Sequence, residues 1–164
     1  MSLNKFRDGG AFCRSVYAGG GSATAGGAGD NTAANGPWVN RDQGVGGMFR
    51  SAKLVISYTA ALGAAATLTF NAKMQDATSS GGAGAADIAA DTIDNFAIPA
   101  TIVGTGAGTV TGTIELDLNL AKAKQYLRTV ITPDLSAANT DTCTWQATLI
   151  MFGFDRDPVT KTLA

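Results

Sequence analysis

The sequence predicts an all-β chain folded as an antiparallel β-sandwich, jelly-roll-like or of related Greek-key connectivity. Three observations carry that expectation. Apolar and polar residues alternate with a period of two through successive segments after residue 51, turns rich in Gly, Ser, Asn and Asp separate those segments, and no stretch has the 3.6-residue period of a long amphipathic helix. At 164 residues the chain has the size of one domain.

In chain order, residues 11–18 (AFCRSVYA) read as a strand or extended segment. Residues 19–36 (GGGSATAGGAGDNTAANG) contain no large apolar side chain, so nothing in them offsets the entropy lost on ordering. They are expected to form a flexible Gly/Ala-rich arm or loop, and residues 1–50 to be an arm and lead-in ahead of a sandwich over 51–158 and a tail over 159–164. Trp38 and Val39 are the first large apolar pair after that tract and are read as its anchor.

In residues 51–62 (SAKLVISYTAAL), Leu54, Ile56 and Tyr58 alternate with Lys53, Val55 and Ser57; in residues 66–74 (ATLTFNAKM), Leu68, Phe70, Ala72 and Met74 alternate with polar neighbours. Residues 61–66 are expected to join these two strands as a hairpin. Residues 76–86 read as a surface loop, the stretch beyond it as a short helical turn or irregular connection, and Pro99 as an edge or corner residue. The clearest strand is residues 108–120 (GTVTGTIELDLNL), in which Ile114, Leu116, Leu118 and Leu120 share one face. Residues 126–131 form the next, expected to stop at Thr132-Pro133-Asp134. In residues 142–154 (TCTWQATLIMFGF), Cys143, Trp145, Ala147, Leu149 and Met151 line one face. Ile150 and Phe152 make the other face apolar late in the strand, as for a central strand or one at a subunit contact.

Composition closes much of enzyme space. The chain has no histidine, the usual general base near neutral pH and the commonest metal ligand, which removes Ser-His-Asp, Cys-His and His-bearing zinc arrangements. A formal charge of -1 with 15% charged residues does not match a phosphate backbone, so no direct nucleic-acid contact is expected. Residues 104–108 (GTGAG) precede a β-type run rather than a helix N-terminus and are read as a turn, not a phosphate loop. Asp87, Asp91 and Asp94, and the pair Asp155 and Asp157, lack calcium-loop spacing and read as solvated acids. No window approaches the apolar length of a membrane helix, and the N-terminal MSLNKFRDGG has no apolar signal-peptide core. Cys13 and Cys143 are read as reduced, buried thiols of a chain made in a reducing cytoplasm. No enzyme, cofactor or metal centre is expected.

The segments FNAKMQDATSS, GTVTGTIELDLNL and KQYLRTVITPDLSAANTDT, with the apolar strand closing in GFDRDP, resemble the head decoration or stabilisation proteins of tailed bacteriophages, over roughly residues 66–158. That resemblance implies a virion protein on the capsid surface that binds the major capsid protein, clamps neighbouring capsomers and works as a homo-oligomer, with a trimer favoured. Phe12, Tyr17, Trp38, Val39, Arg128, Ile150, Phe152 and Arg156 are the candidate interface residues, being apolar or cationic groups beside the arm or on apolar strands. The alternatives are a head-to-tail joining, tail or spike subunit, and a carbohydrate- or receptor-binding β-module.

Overall fold

The computed structural model describes residues 13–42, 47–88, 101–106, 108–136 and 140–154. Among them ten strands occur: β1 (Cys13–Thr24), β2 (Ala34–Asn35), β3 (Val39–Asn40), β4 (Phe49–Ala61), β5 (Thr67–Ala77), β6 (Ala86–Asp87), β7 (Ile102–Val103), β8 (Thr109–Asn119), β9 (Tyr126–Leu135) and β10 (Thr142–Phe154). One sheet has the order β1-β10-β4-β8. The other has the order β2-β9-β5-β6, with β3 also on β9 and β7 also on β5. Every ladder is antiparallel. With β2 and β3 taken as one interrupted strand, and β6 and β7 as another, eight strand positions remain. Numbered along the chain, they run 1-8-3-6 in one sheet and 2-7-4-5 in the other, the order of a jelly roll.

The alternating segments place their apolar faces between the sheets. Leu54 and Ile56 from β4, Leu68, Phe70 and Met74 from β5, Ile114, Leu116 and Leu118 from β8, and Trp145, Leu149 and Met151 from β10 are all buried in one cluster. The largest side chains meet across the middle. Phe70 sits edge-on to Trp145 at 6.3 Å and tilted against Tyr58 at 5.9 Å, geometries that aromatic quadrupoles favour. In this row the register reads Gly21, Trp145, Tyr58, Gly112 across the four-stranded sheet. The two rings stand on the central strands and lie over glycines on the edge strands: a Cβ at Gly112 would approach Tyr58 Cζ to 2.7 Å, and one at Gly21 would touch the Trp145 ring at 3.5 Å.

Four sequence expectations are corrected. First, residues 13–42 are woven into both sheets. β1 runs through the glycine tract, pairing with β10 from Cys13 opposite Phe152 to Thr24 opposite Thr142. A strand needs no large side chain when its backbone is satisfied by a long ladder, and here Ala18, Ala23 and Ala25 supply small buried faces. A bulge between Tyr17 and Gly19 turns the Ala18 carbonyl toward the second sheet, where it accepts a hydrogen bond from Thr129 Oγ1. The loop that follows is pinned as well: Asp30 accepts from Gly26 N at 2.8 Å and Leu135 N at 2.9 Å, and Asn31 N donates to the Pro133 carbonyl.

Second, β4 and β5 are not a hairpin, because they lie in different sheets. Their connection crosses the end of the sandwich, with Leu62 buried beneath it and Gly63 N donating to Asp141 Oδ1 at 2.9 Å. Third, β5 continues to Ala77 and returns through a turn to β6, so the expected loop of residues 76–86 begins and ends in strand. Fourth, β9 passes through Pro133, which pairs with Phe70. The N and C=O of one strand residue face the same neighbour. The Pro133 carbonyl accepts from Asn31 beyond the short β2, so the missing donor falls where no ladder continues.

The β8–β9 connection is held from within. Arg41, 3% exposed, donates from Nη1 to the Phe49 and Leu120 carbonyls at 2.7 and 2.9 Å, from Nε to Lys124 O at 2.7 Å, and from Nη2 to Ala123 O. Asp76 accepts from the Lys124 amide at 3.0 Å and pairs with its ammonium at 2.8 Å.

Candidate interaction surface

The outward face of the four-stranded sheet is built by the residues that alternate with the core. Its register sets two distinct halves. Toward one end, Thr24, Thr142, Ala61 and Thr109 form a row, followed by Ser22, Thr144, Thr59 and Thr111, then Gly20, Gln146, Ser57 and Thr113. This half carries no charge. Toward the other end the rows read Tyr17, Thr148, Val55, Glu115; then Ser15, Ile150, Lys53, Asp117; then Cys13, Phe152, Ser51, Asn119.

Tyr17, Val55, Ile150 and Phe152 therefore share one end of this face. Tyr17 is 55% exposed, and Val55, Ile150 and Phe152 are half-buried. The Tyr17 ring lies along its own strand, its hydroxyl 3.2 Å from where a Cβ on Gly20 would stand. On the β8 side the patch is bordered by a charged rim in which Lys53 Nζ meets Glu115 at 2.9 Å and Asp117 at 3.2 Å. Hydrogen bonds that Lys53 donates, first to Glu115 and then to Asp117, raise its pKa, so the cation stays charged between two acids. An apolar centre beside a polar rim is the anatomy of a protein contact. Two depressions on this face are shallow: one is lined by Ser51, Asp117, Asn119 and Phe152, the other by Ser57, Thr59, Thr144 and Gln146.

The other candidate residues separate. Arg128 lies on the outward face of the second sheet, its guanidinium carbon 4.6 Å over the Trp38 ring and its Nε donating to Gln75 at 2.8 Å. The network continues from Gln75 to Asp87 at 2.6 Å and from Asp87 to Lys73 at 2.9 Å. The bonds from Lys73 and then Gln75 hold the Asp87 carboxyl below its ordinary value. A Cβ on Gly82 would come within 2.7 Å of Trp38 Nε1, so the ring is packed between Arg128 and the β5–β6 turn. Val39 is corrected from interface to core: it pairs with Leu127 and is 9% exposed. Its strand alternates Val39 inward with Asn40 outward, which a two-residue element does not disclose in sequence. Phe12 and Arg156 lie outside the described residues, as do Asp155 and Asp157.

Sequence reasoning missed Val55, because a single valine among Lys53 and Ser57 reads as the polar face. Only the register beside Thr148 and Tyr17 makes it part of a patch. Cys13 is corrected from buried to exposed, while Cys143 is buried and desolvation raises its thiol pKa. The two sit at opposite ends of the β1–β10 ladder, about 30 Å apart along the strand and far beyond disulfide reach.

No protein-family model matches this sequence, and no curated protein matches it. Among solved structures the chain is similar to one in the structure of infectious bursal disease virus Gx strain, with a TM-score of 0.46 and 12% identity over 85% of this chain and 32% of that one. The chain thus spans about a third of that protein's length.

Proposed function

We propose that the chain is a structural protein of a virion that binds the outside of a tailed-phage capsid, contacts the major capsid protein and stabilises the shell by clamping neighbouring capsomers. The observation that carries this reading is the patch of Tyr17, Val55, Ile150 and Phe152 on a broad sheet face whose depressions are too shallow to enclose a small molecule. The resemblance of residues 66–158 to head decoration proteins adds to it, and so does a jelly roll, an architecture that viral capsid and lectin domains share. The packed Trp38 ring speaks against a sugar platform on the second sheet. In this reading the protein is made in the host cytoplasm and works as a homo-oligomer, with a trimer favoured. Each half-exposed apolar side chain covered on docking contributes about 1 kcal/mol, and repetition over many capsid sites turns such contacts into avidity.

The test is to mix purified protein with expanded capsids that lack it. The expected result is saturable, stoichiometric binding and a higher capsid melting temperature, both lost in a Tyr17→Asp/Ile150→Asp variant that keeps its own folding transition. Absence of binding by the parent protein, with retention on immobilised glycans, overturns the reading in favour of a carbohydrate-binding module.

A further inference from the structure

In the outward rows of the four-stranded sheet the charged residues are Lys53, Glu115 and Asp117, and they do not balance. Lys53 Nζ meets Glu115 Oε2 at 2.9 Å and Asp117 Oδ1 at 3.2 Å, so one cation stands against two carboxylates. Glu115 Oε1 and Asp117 Oδ2 have no hydrogen-bond or ion-pair partner among the described residues. The Asp117 side chain is 76% exposed. The surplus negative charge therefore lies at the margin of the apolar patch, open to solvent.

Beside Asp117 the sheet leaves room for one side chain. In the row Phe152, Ser51, Asn119 the middle residue is the smallest, and Ser51 Oγ turns back to donate to Phe152 O at 3.2 Å. The depression above it has Phe152 on one side and Asp117 and Asn119 on the other. These walls stand on β10 and β8, two strand spacings or about 10 Å apart. A long cationic side chain fits such a gap, because its methylene stem packs on an aromatic ring while its head group reaches a carboxylate.

We propose that the partner of this face presents a Lys or Arg side chain that seats between Phe152 and Asp117, next to the apolar contact with Tyr17, Val55 and Ile150. The proposal rests on the reading of this face as the capsid contact, so the basic residue belongs to the major capsid protein. Docking takes water from the rim as well as from the patch. Two acids sharing one lysine then hold an uncompensated charge in a partly desolvated place, and a cation from the partner supplies the missing one. A guanidinium suits the site best, since its fork can engage two carboxylate oxygens at once. An acidic partner surface would be repelled at the same spot. Charge pairing at a rim acts chiefly on the rate of encounter and on its salt dependence.

The experiment measures association of the purified protein with capsids that lack it, at about 50 mM and about 500 mM salt. Asp117→Lys turns the rim positive and is expected to slow association about tenfold at low salt. Lys53→Met leaves both acids without their lysine and is expected to speed it. Both differences should shrink at high salt, and Asp117→Asn should fall between the parent and Asp117→Lys. The two charge changes have opposite sign, so a folding defect cannot produce both results; urea unfolding of each variant is recorded alongside. Association of Asp117→Lys as fast as the parent's, or faster, overturns the proposal and leaves the apolar patch as the capsid contact. A change in the mass of the free protein in Asp117→Lys, with capsid binding unaltered, overturns it in favour of a contact between copies. Failure of the parent protein to bind capsids removes the capsid reading and this proposal together.

Discussion

Replacing Gly36 with alanine tests the close approach that shuts the β1 side of the sandwich. A Cβ at this position would fall well inside van der Waals contact of the Ala18 carbonyl oxygen and 2.7 Å from Thr129 Oγ1. Neither can move freely. The carbonyl belongs to the bulge of β1, and the hydroxyl is hydrogen-bonded to it. Inserting a methyl group where packing is complete costs about 1–3 kcal/mol, and two fixed neighbours place this site at about 3. Loss of glycine freedom in the unfolded chain returns about 0.4–1 kcal/mol. The net destabilisation is about 2 kcal/mol, which for a chain of this size lowers Tm by about 4–8 °C. Gly81→Ala is the control, because its Cβ would meet nothing closer than Ser79 Oγ at 3.9 Å and its backbone is outside the left-handed region. It should be neutral or stabilising by up to about 1 kcal/mol. Urea unfolding of both variants, with an unchanged slope, gives the two numbers. If Gly36→Ala unfolds within about 0.5 kcal/mol of the parent, the sheets do not meet at Ala18 and Thr129 as described.

Three further outcomes are expected. Arg41→Met strips a buried group that donates to four carbonyls, so it should cost about 3–5 kcal/mol in urea unfolding, with Arg41→Lys recovering part of the loss. Iodoacetamide on the native protein should alkylate the exposed Cys13 and spare the buried Cys143, whose raised pKa also keeps it protonated; mass spectrometry after brief exposure reads the ratio. The Asp87 carboxyl is held below its ordinary value of 3.8 by Lys73 and then Gln75. Because the folded pKa is the lower one, its stabilising contribution is complete above the ordinary value and is lost as pH falls through the folded one; in Lys73→Met, an NMR titration should show the Asp87 midpoint moving up.

The strands that were legible in sequence are those whose two faces differ chemically. Leu54 and Ile56 against Lys53 and Ser57, or Ile114, Leu116 and Leu118 against Thr113, Glu115 and Asp117, state both the element and the face it buries. The first part of β1 was read as strand or extended segment, but from Ala18 onward it was opaque because its inward residues are Ala and Gly, whose burial depends on a partner rather than on their own apolarity. The ring that fills the space above Gly21 belongs to Trp145, more than a hundred residues later. Pro133 misled for a related reason: proline forbids a donor, and only the pairing shows that no acceptor stands there. Of the candidate interface residues, Tyr17, Ile150 and Phe152 come together on one face. Trp38 and Arg128 pack on each other on the second sheet, and Val39 is buried.

Taken alone, then, the sequence determined that the chain is all-β, which residues of its alternating strands face inward, and that histidine chemistry is absent. Side-chain periodicity is a local property, readable wherever one face is buried. The tertiary structure decided which strands are neighbours. β4 and β5 adjoin in sequence yet lie in opposite sheets, and β1 finds β10 across most of the chain. In a jelly roll most connections cross between the sheets, so adjacency along the chain says little about pairing. The outward patch, made of single residues from β1, β4 and β10, exists only once those strands are in register.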